Sequence, residues 1–459
     1  MRGPVTIPAP ASKSLSHRMC IAAALADGES LLGNVLCSDD LDRTRTILEA
    51  LGARFEPRGS GELAVRGIGD RVYGPAADAP FDPLELDVGE SGTTCRLIMA
   101  VLAAIRGRFR LYGQGRMHER PVADLAAALR SLGVNITYEQ REGCPPLIIE
   151  SLLPESSNSM VAIACDESSQ YLSGLLLAAP LFKGGLTILL EGEKVVSWPY
   201  VGLTLDILER FGIAFTVEAR SDREKEAGWE KVADWRILKE ARPGGLRFCV
   251  APGAYRAGRH VVEGDWSGAS YFLAAGAIGP QSMRPVRVEG LSPDSLQGDA
   301  AIQDLLLAMG ARLEREGGAI TVHPSALRGA MADLSQCPDL APTVAALAAH
   351  AKGPTVIRGA AHLKIKESNR IAALSQELHR AGCEVGITDD GLIITPPDKG
   401  LTAPEGGSFS SHHDHRIAMS VALLGLPGTR GGKGFEVRLD DPSCVSKSLP
   451  QFWELWRLL

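Results

Sequence analysis

Hydrophobic and polar positions alternate along this chain in a long repeat. Five segments, "LEALGARFE", "LRSLGVNIT", "LERFGIAFT", "LLAMGARLE" and "LHRAGCEVG", each read as a helix end, a glycine and the start of a strand. Their glycines, Gly52, Gly133, Gly212, Gly310 and Gly382, are separated by 81, 79, 98 and 72 residues. A glycine just past a helix end takes the left-handed conformation without a Cβ penalty, so each segment predicts a helix-to-strand switch. Ahead of each switch lies a second, Ala/Leu-rich helix with a polar front: "SKSLSHR", "ESGTTCR", "DESSQYL", "GDWSGAS" and "CPDLAPT". A sixth front, "HDHRIAM", is followed by "FWELWRLL", where the second helix of a unit would fall. The pattern predicts six α/β units of helix, strand, crossover, helix and strand. The longest spacing contains "EARSDREKEAGWEKVADWRILKEARPGG", charged and then Gly/Pro-rich, which suits a surface excursion at a domain boundary. Three units on either side would give two similar domains.

Composition narrows the reading. At 459 residues the chain exceeds one ordinary core, and 45% apolar with 22% charged residues describes a globular protein. A net charge of −7 argues against a nucleic-acid binder, which usually shows a basic bias. Nine cysteines, none in a C-x-x-C pair, read as reduced and mostly buried thiols of a cytosolic protein. Arg18 and the run Met19 to Ala26 imitate a signal peptide, but the same Ala/Leu-rich pattern recurs at "LIMAVLAAI", "LSGLLLAAPL" and "YFLAAGAIG" and is therefore architecture. No apolar run approaches the ~20 residues a membrane span requires.

The fronts carry the candidate chemistry. A helix N-terminus presents unpaired N–H groups and a partial positive charge, so lysine or arginine there opposes the macrodipole. Lys13 and Arg18 are poorly placed for helix stability and well placed to hold an anion. Thr93, Thr94 and Arg96 repeat the arrangement, as do Ser168, Ser169 and Gln170, and then His415 and Arg416. The crossovers add "GRMHERP" with Arg116 and Arg120, "KIKESNR" with Lys366 and Arg370, and "VSKS" with Lys447. Such a density of cations suits paired anionic substrates, whose like charges ~4 Å apart repel by about 4 kcal/mol at an effective dielectric near 20. The run "SHHDHR" also invites a metal reading from His412, His413, Asp414 and His415, but adjacent residues rarely point at one ion and no second ligand cluster accompanies them. "PGTRGGKG" lacks the spacing of a nucleotide loop and reads as a surface turn.

The ordered set "SKSLSHR", "ESGTTCR", "RMHERP", "SSQYLSG", "VSWPY", "CPDLAP", "KIKESNR", "DHRIAM" and "SKSLPQF" resembles the 5-enolpyruvylshikimate-3-phosphate synthase family over nearly the whole chain. The resemblance implies two inverse α/β barrel domains, each of three βαβαββ-type units, with the active site in the cleft between them. It places the first domain at 12–240, mainly on the shikimate 3-phosphate side, and the second at 1–11 with 241–459. It implies transfer of the carboxyvinyl group of phosphoenolpyruvate to the 5-hydroxyl of shikimate 3-phosphate with release of phosphate, by a cytoplasmic monomer. No metal or organic cofactor, nucleic acid or membrane is implied.

Carried over by motif, shikimate 3-phosphate would meet Lys13, Ser14, Arg18, Ser168, Ser169, Gln170, Ser197, Tyr200, Asp339 and Lys366. Phosphoenolpyruvate would meet Lys13, Gly92, Thr93, Arg96, Arg120, Gln170, Arg370, Arg416 and Lys447. Asp339, Glu367 and Lys13 would be catalytic, Asp339 acting on the 5-hydroxyl proton and Glu367 exchanging protons with the vinyl methylene. Lys366 and Arg370 flank Glu367 and favour its ionised form, which the substrate anions would partly offset.

Four positions depart from the family's usual pattern: Ala11 and Glu90 in loops where glycine and asparagine are common, Asn369 in place of aspartate, and His362 where some members use asparagine. The short N-terminal stretch suggests a trimmed first strand. The resemblance also implies that Gly92 leaves room for glyphosate, an inhibitor of the family, with Glu90 close enough to alter its binding. Two other readings compete. Enolpyruvyl transfer to UDP-N-acetylglucosamine would call for asparagine after the N-terminal lysine, where Ser14 stands, and a loop cysteine where Arg116 stands. A non-enzymatic RNA-end-binding protein of related fold would call for basic stretches studded with aromatics.

Overall fold

The computed structural model describes residues 3–59, 61–69, 82–151, 160–220, 228–428 and 433–459. The chain divides into two compact units, Lys13–Val262 and Met1–Ser12 with Glu263–Leu459. Twelve α-helices among the described residues alternate between two roles. The odd-numbered ones are α1 (Lys13–Leu25), α3 (Gly92–Ala103), α5 (Gln170–Ala178), α7 (Trp266–Ala277), α9 (Ala341–His350) and α11 (His415–Leu424). They are buried on nearly every side, which explains Ala/Leu runs without a polar stripe. The even-numbered ones are α2 (Asp39–Ala50), α4 (Ala123–Ser131), α6 (Pro199–Arg210), α8 (Ile302–Ala308), α10 (Arg370–Arg380) and α12 (Phe452–Trp456). Five of them end at the repeated glycines, and all five glycines have the expected positive φ, between 75° and 102°.

Each of the first five helix pairs carries a sheet of the same topology. In the second repeat, Leu84–Asp87 lies parallel to Gly107–Tyr112, which pairs antiparallel with Leu147–Ser151, and that strand with Asn135–Tyr138. With α3 and α4 in the crossovers this is a βαβαββ unit. Strands alternate buried and exposed residues, so the sheets face solvent on one side while the odd-numbered helices fill the interior, an inversion of the usual layering. The sixth repeat differs. Among the described residues it has α11 and α12 but only an isolated parallel bridge, Phe409 with Leu439, where its first strand pair would stand.

Two sheets borrow their edge strand from a distant part of the chain. Val5–Pro8 forms a full strand parallel to Val286–Glu289 and completes the fourth repeat, correcting the expectation of a trimmed one. Arg259–Val261 pairs parallel with Glu29–Gly33 and completes the first. The sequence reading put the domain change near residue 240, whereas the compact units change over after Val262. Part of the charged excursion, residues 221–227, lies outside the described residues. The rest joins the third repeat: Trp229–Lys231 adds a fifth strand beside Phe215–Arg220, and the buried Trp235 indole N–H donates to Glu209 (3.2 Å). Beyond it, Leu246–Val250 is an interior strand of the same sheet.

Ile7 is fully buried and seats the borrowed strand in the core of its unit. Ile7→Ala is expected to lower stability by about 3 kcal/mol, from lost burial plus the cavity left behind, read as a fall in the urea midpoint of unfolding.

Candidate active site

In the Lys13–Val262 unit the polar fronts of α1, α3 and α5 converge. Arg18 is almost completely buried. Its Nε donates to Thr204 Oγ1 (2.8 Å), its Nη1 to the Ser14 carbonyl (2.9 Å), and its Nη2 to Ser173 Oγ and the Tyr200 carbonyl (both 3.1 Å). These partners are all neutral. Burial lowers the Arg18 pKa to about 10, with Tyr200 acting the other way, so the group remains a cation held by hydroxyl and carbonyl dipoles. Lys13 forms an ion pair with the buried Asp40.

Arg96, at the α3 front, donates to Gln170 Oε1 (2.9 Å) and to the Pro121 carbonyl (3.1 Å), and its guanidinium lies 5.5 Å from the Tyr171 ring centroid. Gln170 in turn donates to Thr93 Oγ1 (2.9 Å), fixing its amide between the fronts of α3 and α5. Arg120 donates to the Glu90 carbonyl (3.0 Å). A Cβ at Gly92 would overlap the Arg120 guanidinium, so only glycine lets that arginine lie across the start of α3. Ser168 caps Gln170 N–H (3.2 Å), and Ser169 Oγ donates to the Ser197 carbonyl (3.0 Å). Ser197 adopts φ 55°, a left-handed turn that starts α6 and presents the Tyr200 carbonyl to Arg18.

The second unit gathers the fronts of α7, α9 and α11. Arg370, 2% exposed, sits among three carboxylates: Nε donates to Asp414 Oδ2 (2.8 Å), Nη1 to Asp339 Oδ1 (3.1 Å) and Nη2 to Glu367 Oε2 (2.9 Å). Arg416 donates to Asp339 Oδ2 (2.7 Å) and to Ser267 Oγ, tying α11 to the turn before α9 and to α7. Lys447 lies 3.9 Å from Glu367 Oε1, and Lys366 is near enough to act on Asp339. Burial alone would raise the Asp339 pKa, but Arg416, Arg370 and Lys366 overcome it and hold the carboxyl at about 2.

The site residues read from sequence thus fall into two clusters. Lys13, Ser14, Arg18, Gly92, Thr93, Arg96, Arg120, Ser168, Ser169, Gln170, Ser197 and Tyr200 belong to one unit, and Asp339, Lys366, Glu367, Arg370, Arg416 and Lys447 to the other. Their supports escaped the sequence reading. Asp40 holds Lys13, Thr204 and Ser173 hold Arg18, and Asp414 holds Arg370 together with Ser368 Oγ (3.0 Å). Asp414 carried a usable signal, standing where a helix cap belongs before α11, and its side chain accepts from Arg416 N–H (2.9 Å).

The departures also find places. Asn369 caps α10 by accepting from Ala372 N–H (3.1 Å), a task that needs only a side-chain oxygen. Ala11 bridges to Gly264, and His362 is buried in a 3-10 turn at Ala361–Ile365. Among the described residues no cluster of three or more His, Cys, Asp or Glu side chains could hold a metal ion. His413 is exposed, and His412 bonds to Glu377 instead.

Paired α/β units that present cations at converging helix starts define a protein built to hold small, multiply charged anions. The profile of EPSP synthase (3-phosphoshikimate 1-carboxyvinyltransferase) matches residues 1–240 and 239–456, and the chain belongs to that family. It is 39% identical to the 3-phosphoshikimate 1-carboxyvinyltransferase of Nitrosomonas europaea, covering 97% of this chain and 94% of that protein. The protein of the same name from Thiobacillus denitrificans is also 39% identical, with 98% and 95% covered. A 2.37 Å structure of EPSP synthase from Acinetobacter baumannii superposes with a TM-score of 0.73 at 25% identity, covering 99% of this chain and 96% of that one.

Asp339 has its carboxyl held at about 2 against an ordinary 3.8, so its ionised form stabilises the fold above pH 4. That contribution is lost as pH falls from about 4 toward 2. The gap in urea midpoint between the unaltered protein and Asp339→Asn should therefore be widest near pH 5 and shrink on acidification to pH 2.5.

Proposed function

We propose that the two clusters serve one reaction, transfer of the carboxyvinyl group of phosphoenolpyruvate to the 5-hydroxyl of shikimate 3-phosphate with release of phosphate. Membership of the EPSP synthase family carries the reaction, and the chemistry of the clusters suits it. Arg18, a buried cation with neutral partners, suits an anionic group of shikimate 3-phosphate, with Ser168, Ser169, Gln170, Ser197 and Tyr200 as further contacts of that substrate. Arg96, Arg120, Arg370, Arg416 and Lys447 suit the phosphate and carboxylate of phosphoenolpyruvate, and Lys13 touches both substrates. A monomer needing no nucleic acid or membrane completes the reading; the net charge of −7 favours it, and no described helix is long and apolar enough to cross a membrane.

Protonation of C3 of phosphoenolpyruvate leaves C2 cation-like, and the 5-hydroxyl adds there as Asp339 takes its proton. The resulting ketal phosphate loses C3–H and the phosphate together, forming the vinyl ether. Glu367 is the proton carrier at C3. It is engaged by Arg370 (2.9 Å) and Lys447 (3.9 Å). A phosphoenolpyruvate that takes over those cations frees the carboxyl to hold a proton, so substrate binding itself prepares the acid. The cations then stabilise the departing phosphate.

The test is phosphate release from phosphoenolpyruvate, with shikimate 3-phosphate and separately with UDP-N-acetylglucosamine. Release with only the former supports the reading, and release with only the latter moves the acceptor. Glu367→Gln should lose about 10²- to 10⁴-fold in kcat while still binding shikimate 3-phosphate in a titration. Near-normal turnover would remove Glu367 from the proton transfers.

A further inference from the structure

We propose that His412 and Glu377 form a clamp that positions the loop delivering Asp414 and Arg416, and so sets the affinity of this chain for phosphoenolpyruvate. The proposal rests on the reading of Arg370 and Arg416 as phosphoenolpyruvate ligands given above.

Four observations carry it. First, two consecutive non-glycine residues, His412 and His413, have φ of 52° and 53°. Side chains with a Cβ rarely adopt that region, so surrounding contacts must hold the loop there. Second, those contacts come from side chains outside the loop. Glu377, 1% exposed, accepts from His412 Nε2 (2.9 Å), from Ser410 N–H (3.1 Å) and from Arg380 (2.8 Å). Asp440 accepts from Ser411 N–H (2.8 Å) and Ser410 Oγ (2.6 Å) on the other side.

Third, the strained stretch leads directly into the site. Asp414 N–H donates to the Ser411 carbonyl (2.9 Å), and Asp414 then caps α11 and holds Arg370. Fourth, α10 grips the loop twice. Arg370 opens that helix and binds Asp414, and Glu377, seven residues or two turns later on the same face, binds His412. Two grips about 10 Å apart on one rigid helix fix both position and direction of the loop, which one grip cannot do. His412 touches neither substrate in this reading and acts only through Asp414 and Arg416. Its Nε2 donates to Glu377 whether the ring is neutral or charged, provided the neutral tautomer carries its proton there.

The experiment measures kcat, KM for phosphoenolpyruvate and the dissociation constant of shikimate 3-phosphate, with thermal melting as a control on folding. The variants are His412→Ala, His412→Gly, His412→Asn and Glu377→Gln in the full chain. His412→Ala should raise KM for phosphoenolpyruvate about tenfold while kcat changes less than about threefold and shikimate 3-phosphate binding is unchanged. His412→Asn, which tolerates a left-handed backbone and keeps a donor, should recover part of the loss. His412→Gly removes the backbone strain without restoring the contact and should stay near the alanine variant. Glu377→Gln keeps the size and one acceptor and should also raise KM. Unchanged KM in the alanine and Glu377→Gln variants overturns the clamp, as does full recovery by glycine or a parallel loss of both substrates' affinities with melting temperature. Absence of phosphate release by the unaltered protein overturns instead the reading on which the clamp rests, and the clamp with it.

Discussion

An arginine taken out of water must have its charge answered locally, because an uncompensated buried ion costs several kcal/mol. This chain meets that requirement in two opposite ways. Arg370 is surrounded by Asp339, Glu367 and Asp414, so its charge is met by carboxylates of its own unit. Arg18 is given hydroxyls and carbonyls, which orient toward a cation without cancelling it. One cluster therefore balances its cation with carboxylates of its own, while the other meets its cation with neutral groups. The helix starts on which both arrangements stand already lean positive, which makes the choice of partner decisive.

Polar groups behind the first cluster avoid adding to that positive field. His17 Nδ1 bonds to Thr44 Oγ1 (2.8 Å), which bonds to Thr94 Oγ1 (2.7 Å), and that in turn to Ser91 Oγ (2.8 Å). Burial, with help from Lys13 and Arg18, lowers the His17 pKa to about 3, so its ring is neutral at physiological pH. The chain of hydroxyls ties α1, α2 and α3 together beneath the cations without another charge. This uncharged base lies directly behind the helix starts that carry Lys13, Arg18 and Arg96.

The repeat was legible because it is written locally. A glycine after a leucine-rich turn and a polar residue before an apolar run each act over a few residues, and all five glycines and six helix starts fall where those signals stand. Cations at helix starts were legible for the same reason, since Lys13, Arg18, Arg96 and Arg416 defy a local preference. Partners brought in by tertiary structure were not. Asp40 looks like an ordinary acidic first turn of α2, and Glu377 like an exposed residue of an amphipathic helix, until the fold buries each against its partner. That the sixth repeat shows, among the described residues, a single bridge between Phe409 and Leu439 in place of its first strand pair was likewise not announced by any local signal. The charged and Gly/Pro-rich stretch near residue 240 also supplies an edge strand to the sheet of the third repeat, a pairing that its composition does not announce.

The two borrowed edge strands give the units unequal histories during synthesis. The Lys13–Val262 unit is continuous, so every strand it needs, including Arg259–Val261, has been made by the time its last residue leaves the ribosome. The other unit begins with Val5–Pro8, whose partner Val286–Glu289 comes almost 280 residues later. At 5–20 residues per second that separation lasts roughly 15–55 s. Throughout that interval Val5 and Ile7, destined for the core, wait on the nascent chain without the surface that will cover them. The order of synthesis thus leaves this small apolar strand made long before the partner that shelters it.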